Sequence, residues 1–153
     1  MNFLKKIILF LLFGIVVFPA IAQDDEKEED CGKTENKKAR KLYEQGTDRK
    51  NKKEERLAFL KQALDLEPDY VDANFAYAEE RIKTLIYDQA SFKPAEPYYK
   101  KVIEACPNYH SNPYYYLGFA YYEEENWEEA IKYLKLFLDF KEDDEKKYHK
   151  SYD

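Results

Sequence analysis

Between Tyr114 and Phe137 the chain spaces aromatic, small and apolar residues in a way that only a pair of packed helices satisfies. Tyr114, Leu117, Gly118 and Tyr121 stand at relative positions 0, 3, 4 and 7, one face of a 3.6-residue period. Ala130, Leu134 and Phe137 then follow at spacings of 4 and 3. A small residue where two helices cross lets their backbones approach, so Gly118 and Ala130 are expected to be the contact points of the pair. Strand-like alternation with turn dipeptides is absent, and five of the six prolines sit where helices should begin or end.

The pattern recurs upstream in weaker form. Ala95, Tyr99, Val102 and Pro107 follow a helix, "DYVDANFAYAEERI", in which Tyr77 and Ala78 stand where Leu117 and Gly118 stand later. About five extra residues near "YDQASFK" lengthen the connection between them. Further upstream, "ARKLYEQG" supplies Gly46, and "RLAFLKQALDLEP" supplies Leu60, Ala63 and Pro68. This arrangement resembles the tetratricopeptide repeat, with its aromatic, Leu-Gly and Tyr in the first helix and Ala, large apolar and small apolar positions in the second. Phe137 departs from it, being large where the family usually has alanine, which suggests that a following helix packs less closely there. The expected fold is therefore an all-α solenoid of about three helix-turn-helix repeats, at residues 34–68, 69–107 and 108–143, with 144–153 beginning a further or capping helix after a turn in "KEDDEKK". One such pair cannot bury its own apolar seam, and three stacked pairs are close to the minimum for stability.

This register sorts the tyrosines. Tyr114, Leu117 and Tyr121 point into the seam, together with Gly46, Ala63, Ala78, Ala95, Tyr99, Gly118, Ala130 and Leu134. Tyr115, Phe119 and Tyr122 lie on the opposite face of their helix, which the resemblance implies lines a concave groove. The matching positions upstream are Phe75, Glu79 and Ile82, then Tyr43 and Thr47. Tyr43, Phe75 and Tyr115 would thus form an aromatic column. Contiguous apolar patches mark binding sites or buried interfaces, so the column either takes an extended peptide or is covered by another part of a longer chain. Sugar stacking is a third reading, weakened because Trp127 opens a helix and is expected to pack on its neighbour. Members of the family that clamp a C-terminal carboxylate carry Lys and Asn at the positions of Tyr43, Phe75 and Tyr115, so the resemblance speaks against a carboxylate clamp.

The first 22 residues read as a secretory signal. Lys5 and Lys6 precede the apolar stretch Ile7–Phe18, followed by "PAIAQ" with Ala20 and Ala22 as cleavage-site residues. Twelve apolar residues fall short of the roughly 20 that span a bilayer. Removing this segment takes two of the 25 basic residues and none of the 31 acidic ones, leaving 23 against 31 and a net charge of −8. Such a balance speaks against nucleic-acid partners. Residues 23–33 form an acidic, flexible lead-in containing Cys31. In an exported protein, Cys31 and Cys106 are either unrelated thiols or a disulfide stapling the lead-in to the repeats, which the chain-entropy picture values at about 4 kcal/mol.

No catalytic constellation emerges. His110 and His149 lack metal-ligand partners at helical spacing, and Ser91, Ser111 and Ser151 lack a neighbouring base. The acidic runs read as solvated helix faces or turns, and neither a cofactor nor a metal is expected. The exported start, "CGKTENKKARKLYEQG" and "ACPNYHSNPYYYLGFAYYEEENWEEAIKYL" together resemble the N-terminal part of larger envelope proteins of Bacteroidota. That resemblance implies a repeat block preceding a β-propeller and a peptidoglycan-binding domain of the outer-membrane-protein-A type, in some cases within secretion or gliding machinery. The expectation is a non-catalytic adaptor in the periplasm or at the outer-membrane periphery that binds a protein partner. The alternative is a structural N-terminal module of such a larger protein.

Overall fold

A computed structural model of the protein describes residues 31–148, with side chains through Phe140. The signal expected over residues 1–22, the lead-in up to Asp30, His149 and Ser151 lie outside these described residues. Six α-helices follow one another: α1 (Lys37–Thr47), α2 (Lys53–Leu66), α3 (Val71–Tyr87), α4 (Glu96–Ala105), α5 (Asn112–Glu123) and α6 (Trp127–Tyr148). No strand occurs among the described residues. The helices pair as α1 with α2, α3 with α4 and α5 with α6, and the pairs stack through α2 on α3 and α4 on α5. The fold is all-α and of the tetratricopeptide type.

Local chemistry sets the helix ends. The Asn36 side chain accepts hydrogen bonds from the backbone N–H groups of Lys38 and Ala39, at 3.2 and 3.1 Å, satisfying donors that the first turn of α1 leaves open. At α2 the Glu55 carboxylate reaches back to the Lys52 N–H at 2.9 Å. Pro97 and Pro113 occupy the first turns of α4 and α5, where their missing N–H costs nothing. Both α3 and α5 stop in the same way. Ala90 N–H bonds to Leu85 C=O and Gln89 N–H to Ile86 C=O, and Asn126 to Tyr121 and Glu125 to Tyr122 repeat that pair of bonds. Gln89 and Glu125 take φ of 51° and 59°, the left-handed conformation this ending requires.

Two glycines mark the crossings within pairs. A Cβ on Gly46 would lie 2.5 Å from Leu60 Cγ, and one on Gly118 would lie 2.6 Å from Leu134 Cγ. The partner of Gly118 is therefore Leu134, not the Ala130 that the spacing suggested, although Ala130 is itself buried. Counting from these crossings aligns Gly46, Ala78 and Gly118 in the first helices of the three pairs and Leu60, Tyr99 and Leu134 in the second.

The middle pair carries the extra residues. Part of the added length goes into α3, 17 residues long against 11 in α1 and 12 in α5. The remainder forms the connection to a single 3₁₀ turn at Lys93–Ala95. Phe92 from this connection packs on the buried cluster of Ala78, Ile82, Leu85, Ala95, Tyr99 and Leu117. A second difference concerns α6, which runs unbroken to Tyr148 where the sequence suggested a turn near residues 141–147. That stretch contains neither glycine nor proline to interrupt the helix.

Candidate functional site

The first helices of the pairs, α1, α3 and α5, carry the expected partner-facing residues, and the structure places them in three different environments. Tyr43 is half-buried, its ring 5.4 Å from that of Tyr70, and burial followed by the charge of Asp72 pushes its hydroxyl pKa upward. Phe75 is also half-buried, with rings of Tyr109 at 5.2 Å, His110 at 4.8 Å and Tyr99 at 6.4 Å around it. Tyr115 sits among Tyr116, Phe119 and Phe137, at 5.1, 4.7 and 5.2 Å. Tyr122 is 56% exposed, its ring edge-on to Trp127 at 5.3 Å. The aromatic positions on this side are thus partly filled by their own neighbours, and the third pair leaves the most ring surface accessible.

Two of the expected groove residues have other tasks. Ile82 is fully buried, because Phe92 and Tyr116 pack over the cluster it belongs to, so it is a core residue rather than a groove residue. Glu79 accepts a hydrogen bond from Tyr99 Oη at 2.7 Å and another from the Asn112 side-chain amide at 3.1 Å. It thereby ties α3 to α4 and α5. Burial, then the Glu79 charge and hydrogen bond, hold the Tyr99 hydroxyl protonated far above the usual tyrosine range. Thr47 closes on its own helix, donating to the backbone carbonyls of Tyr43 and Glu44.

The residues expected in the seams differ little in exposure. Gly46, Ala63, Ala78, Ala95, Tyr99, Tyr114, Leu117, Gly118, Tyr121 and Ala130 are buried, and Leu134 is partly so. The inter-pair turns share a device that the spacing alone did not expose. The buried Asn74 amide donates to Pro68 C=O and Tyr70 C=O, both at 2.9 Å. At the aligned position in α5, Tyr114 Oη donates to Pro107 C=O at 2.8 Å. Each uses the side chain four residues before the crossing to satisfy the carbonyl of the proline that ends the preceding pair.

A strap closes over the part of α3 that carries Val71 and Phe75. Cys31 and Cys106 are joined by a disulfide with 6.0 Å between their Cα atoms. Gly32 C=O accepts from the Asp72 N–H at 3.3 Å, and a Cβ at Gly32 would collide with the Asp72 carboxylate. Tyr109 Oη donates to that carboxylate at 2.6 Å. Burial raises the Asp72 pKa, and the Tyr109 hydrogen bond partly offsets it. Cys31, Phe75 and Tyr109 then pack around buried Val71, Val102 and Cys106.

Ionic contacts join successive pairs. Arg56 of α2 donates to Glu80 of α3 at 2.6 Å, and Lys83 adds a bond at 2.7 Å. Between the second and third pairs, buried Glu96 binds Lys93 at 2.7 Å and Lys100 at 2.6 Å and accepts from Tyr121 Oη at 3.2 Å. Among the described residues no group of three or more His, Cys, Asp or Glu side chains is arranged to hold a metal ion. No helix there is long and apolar enough to cross a membrane.

These features define a tetratricopeptide-type helical stack, a class that suggests a protein-interaction module. Among solved structures it is similar to the crystal structure of MamA, a helical protein of this type, with a TM-score of 0.53 and 25% sequence identity over 71% of this chain. The match spans 61% of the MamA chain. No protein-family description and no curated protein sequence matches the chain.

Proposed function

We propose that this chain is a non-catalytic scaffold that holds a protein or peptide partner on the side formed by α1, α3 and α5. The observation that carries the reading is the partly exposed aromatic surface of Tyr115, Phe119 and Tyr122 on α5, with half-buried Tyr43 further along the same side. Tyrosine and phenylalanine supply large contact area at a low ordering cost, which suits a recognition surface. Export to the periplasm or outer-membrane periphery, supported by the basic and apolar pattern of residues 1–22, belongs to the same proposal.

The test is capture from cell-envelope extract by wild-type protein and by a Phe119→Ala/Tyr122→Ala variant whose fold is checked by circular dichroism. Retention of one defined partner by wild type, lost in the variant, supports the scaffold reading. A second reading is a structural N-terminal module within a larger, outer-membrane-associated, peptidoglycan-binding protein of Bacteroidota secretion or gliding machinery. It is favoured by Phe75, which neighbours from its own chain already surround. Absence of any captured protein in both samples would support that second reading.

A further inference from the structure

The aromatic surface of α5 is bordered by charges that decide what kind of segment it can take. Tyr115, Phe119, Tyr122 and Trp127 form one row, with successive ring centres 4.7, 6.4 and 5.3 Å apart. The row is most open at its far end, where Tyr122 and Trp127 are 56% and 53% exposed. Between Asn112 and Ile131 the chain has five glutamates and neither lysine nor arginine. Glu124 is paired with Lys93 and Glu129 with Lys132, and the Glu123 carboxylate accepts the Phe92 N–H. The carboxylates of Glu125 and Glu128, which flank Trp127 in the chain, make no hydrogen bond or ion pair among the described residues.

Elsewhere the molecule shows what rings and carboxylates of this kind hold together. Tyr121 donates to Glu96, and the Lys93 and Lys100 ammonium groups, both bonded to Glu96, stand 5.8 and 5.4 Å from its ring centre. Lys132 lies 5.2 Å from the Tyr133 ring centre while paired with Glu129. In each case a cation is shared between a ring face and a carboxylate, both of which attract it. Tyr122 and Trp127 offer the same combination with Glu125 and Glu128, but no described residue supplies the cation. An apolar segment laid on the row would strip water from these carboxylates without pairing them, and an acidic one would be repelled. Resting on the scaffold reading above, we propose that the partner segment is basic and sets lysine or arginine side chains on Tyr122 and Trp127, against Glu125 and Glu128.

Trp127 is the one tryptophan of the chain, so its emission reports on the site directly. The experiment titrates the chain expressed from Met1 with a short peptide of alternating arginine and serine, beside glutamine-serine and glutamate-serine peptides of the same length. Only the arginine peptide is expected to change Trp127 emission saturably, with an affinity that falls as salt is raised. Tyr122→Leu keeps apolar area but removes the ring face, and should weaken binding about tenfold. Glu125→Gln/Glu128→Gln should weaken it severalfold, and Tyr122→Phe should retain it. Circular dichroism checks that each variant folds. The proposal is overturned by no saturable change with the arginine peptide, by equal binding of the glutamine peptide, or by binding that both Tyr122→Leu and the double glutamine variant leave untouched. It is also overturned if the free chain sediments as a salt-sensitive dimer that the double glutamine variant abolishes, since a second copy is then the occupant. If envelope capture still retains a partner through Phe119 and Tyr122 while the arginine peptide fails, the scaffold reading stands and its basic specificity falls. If capture fails as well, both fall.

Discussion

The first and third helix pairs use one crossing and surround it differently. Gly46 meets Leu60 and Gly118 meets Leu134 at nearly the same distance, but Leu60 is fully buried whereas Leu134 keeps part of its surface in solvent. The first pair is small-sided, with Ala39 and Ala63 in its core, roofed by α3. The third carries Tyr114, Tyr121, Tyr133 and Phe137 and is roofed on its α6 side by nothing among the described residues. A repeat motif thus fixes how two helices cross, while the neighbours of the pair decide how much that crossing contributes.

The largest effect expected is at the strap. The disulfide joins residues 75 positions apart and encloses the first two pairs, so Cys106→Ser should lower unfolding free energy by about 4 kcal/mol in the chain-entropy picture. Denaturant unfolding of wild type with and without a dithiol reductant should reproduce the difference. A change well under about 1 kcal/mol would mean that the unfolded state is not constrained as that picture requires.

Next come the two turn carbonyls. Asn74→Ala removes one donor from Pro68 C=O, which keeps Lys101 Nζ at 2.8 Å, and one from Tyr70 C=O, which keeps the Asn74 N–H at 2.9 Å, and it also empties space at a fully buried side chain, so it should cost about 1–3 kcal/mol. Tyr114→Phe removes one bond to Pro107 C=O and leaves the ring in place to fill its site, and should cost about 1 kcal/mol or less. Equal costs in thermal or denaturant melts would refute the difference drawn between the two junctions.

The glycines give a subtler comparison. Alanine gains up to about 1 kcal/mol of helix propensity over glycine, but the added methyl must displace a leucine. Leu60 is hemmed in, and Arg56 C=O stands 3.1 Å from the new Cβ, so Gly46→Ala should destabilise by about 1–2 kcal/mol. Leu134 has solvent on one side and can swing aside, so Gly118→Ala should fall within about 0.5 kcal/mol of wild type. The order of the two melting midpoints is the measurement.

These contrasts also show which parts of the molecule were legible in its residues. The stack and its register could be read because Gly118, Ala130 and the aromatic spacing have few uses outside a close helix crossing. Ile82 could not be placed, since it occupies the same register position as Tyr122 yet is buried where Tyr122 is exposed. The difference comes from Phe92, delivered by the irregular connection after α3, and from Tyr116 of the next pair, neither of which the local period encodes. The unbroken α6 was missed for the opposite reason: a run of charges signals solvent exposure but carries no breaker, and a helix with nothing to stop it continues. The proline-carbonyl device was hidden because Asn74 and Tyr114 perform it with different chemistry, so no repeated letter advertises it.

The smallest effect separates the two junctions by pH. Burial raises the carboxyl pKa values of Glu80 and Glu96, but hydrogen bonds and charge from Lys83 and Arg56 in one case, and from Lys100 and Lys93 in the other, bring both below the ordinary glutamate value. A carboxylate whose folded pKa is depressed contributes stability that is present above its unfolded pKa and lost as pH falls through the folded one. Both junctions should therefore hold from neutral pH down to about 5 and weaken below the ordinary value of 4.5. Asp72 works against this trend, since its raised pKa favours the folded state as acid is added. The net acid loss should accordingly be modest, on the order of 1 kcal/mol or less per junction. Glu80→Gln and Glu96→Gln should each lower the denaturation midpoint at neutral pH and flatten its fall in acid. The Glu96 variant should show the larger change, because it also alters the acceptor of Tyr121 Oη. If Glu80→Gln flattens the acid response more, the first junction, and not the aromatic third pair, is the one that ionic contacts hold.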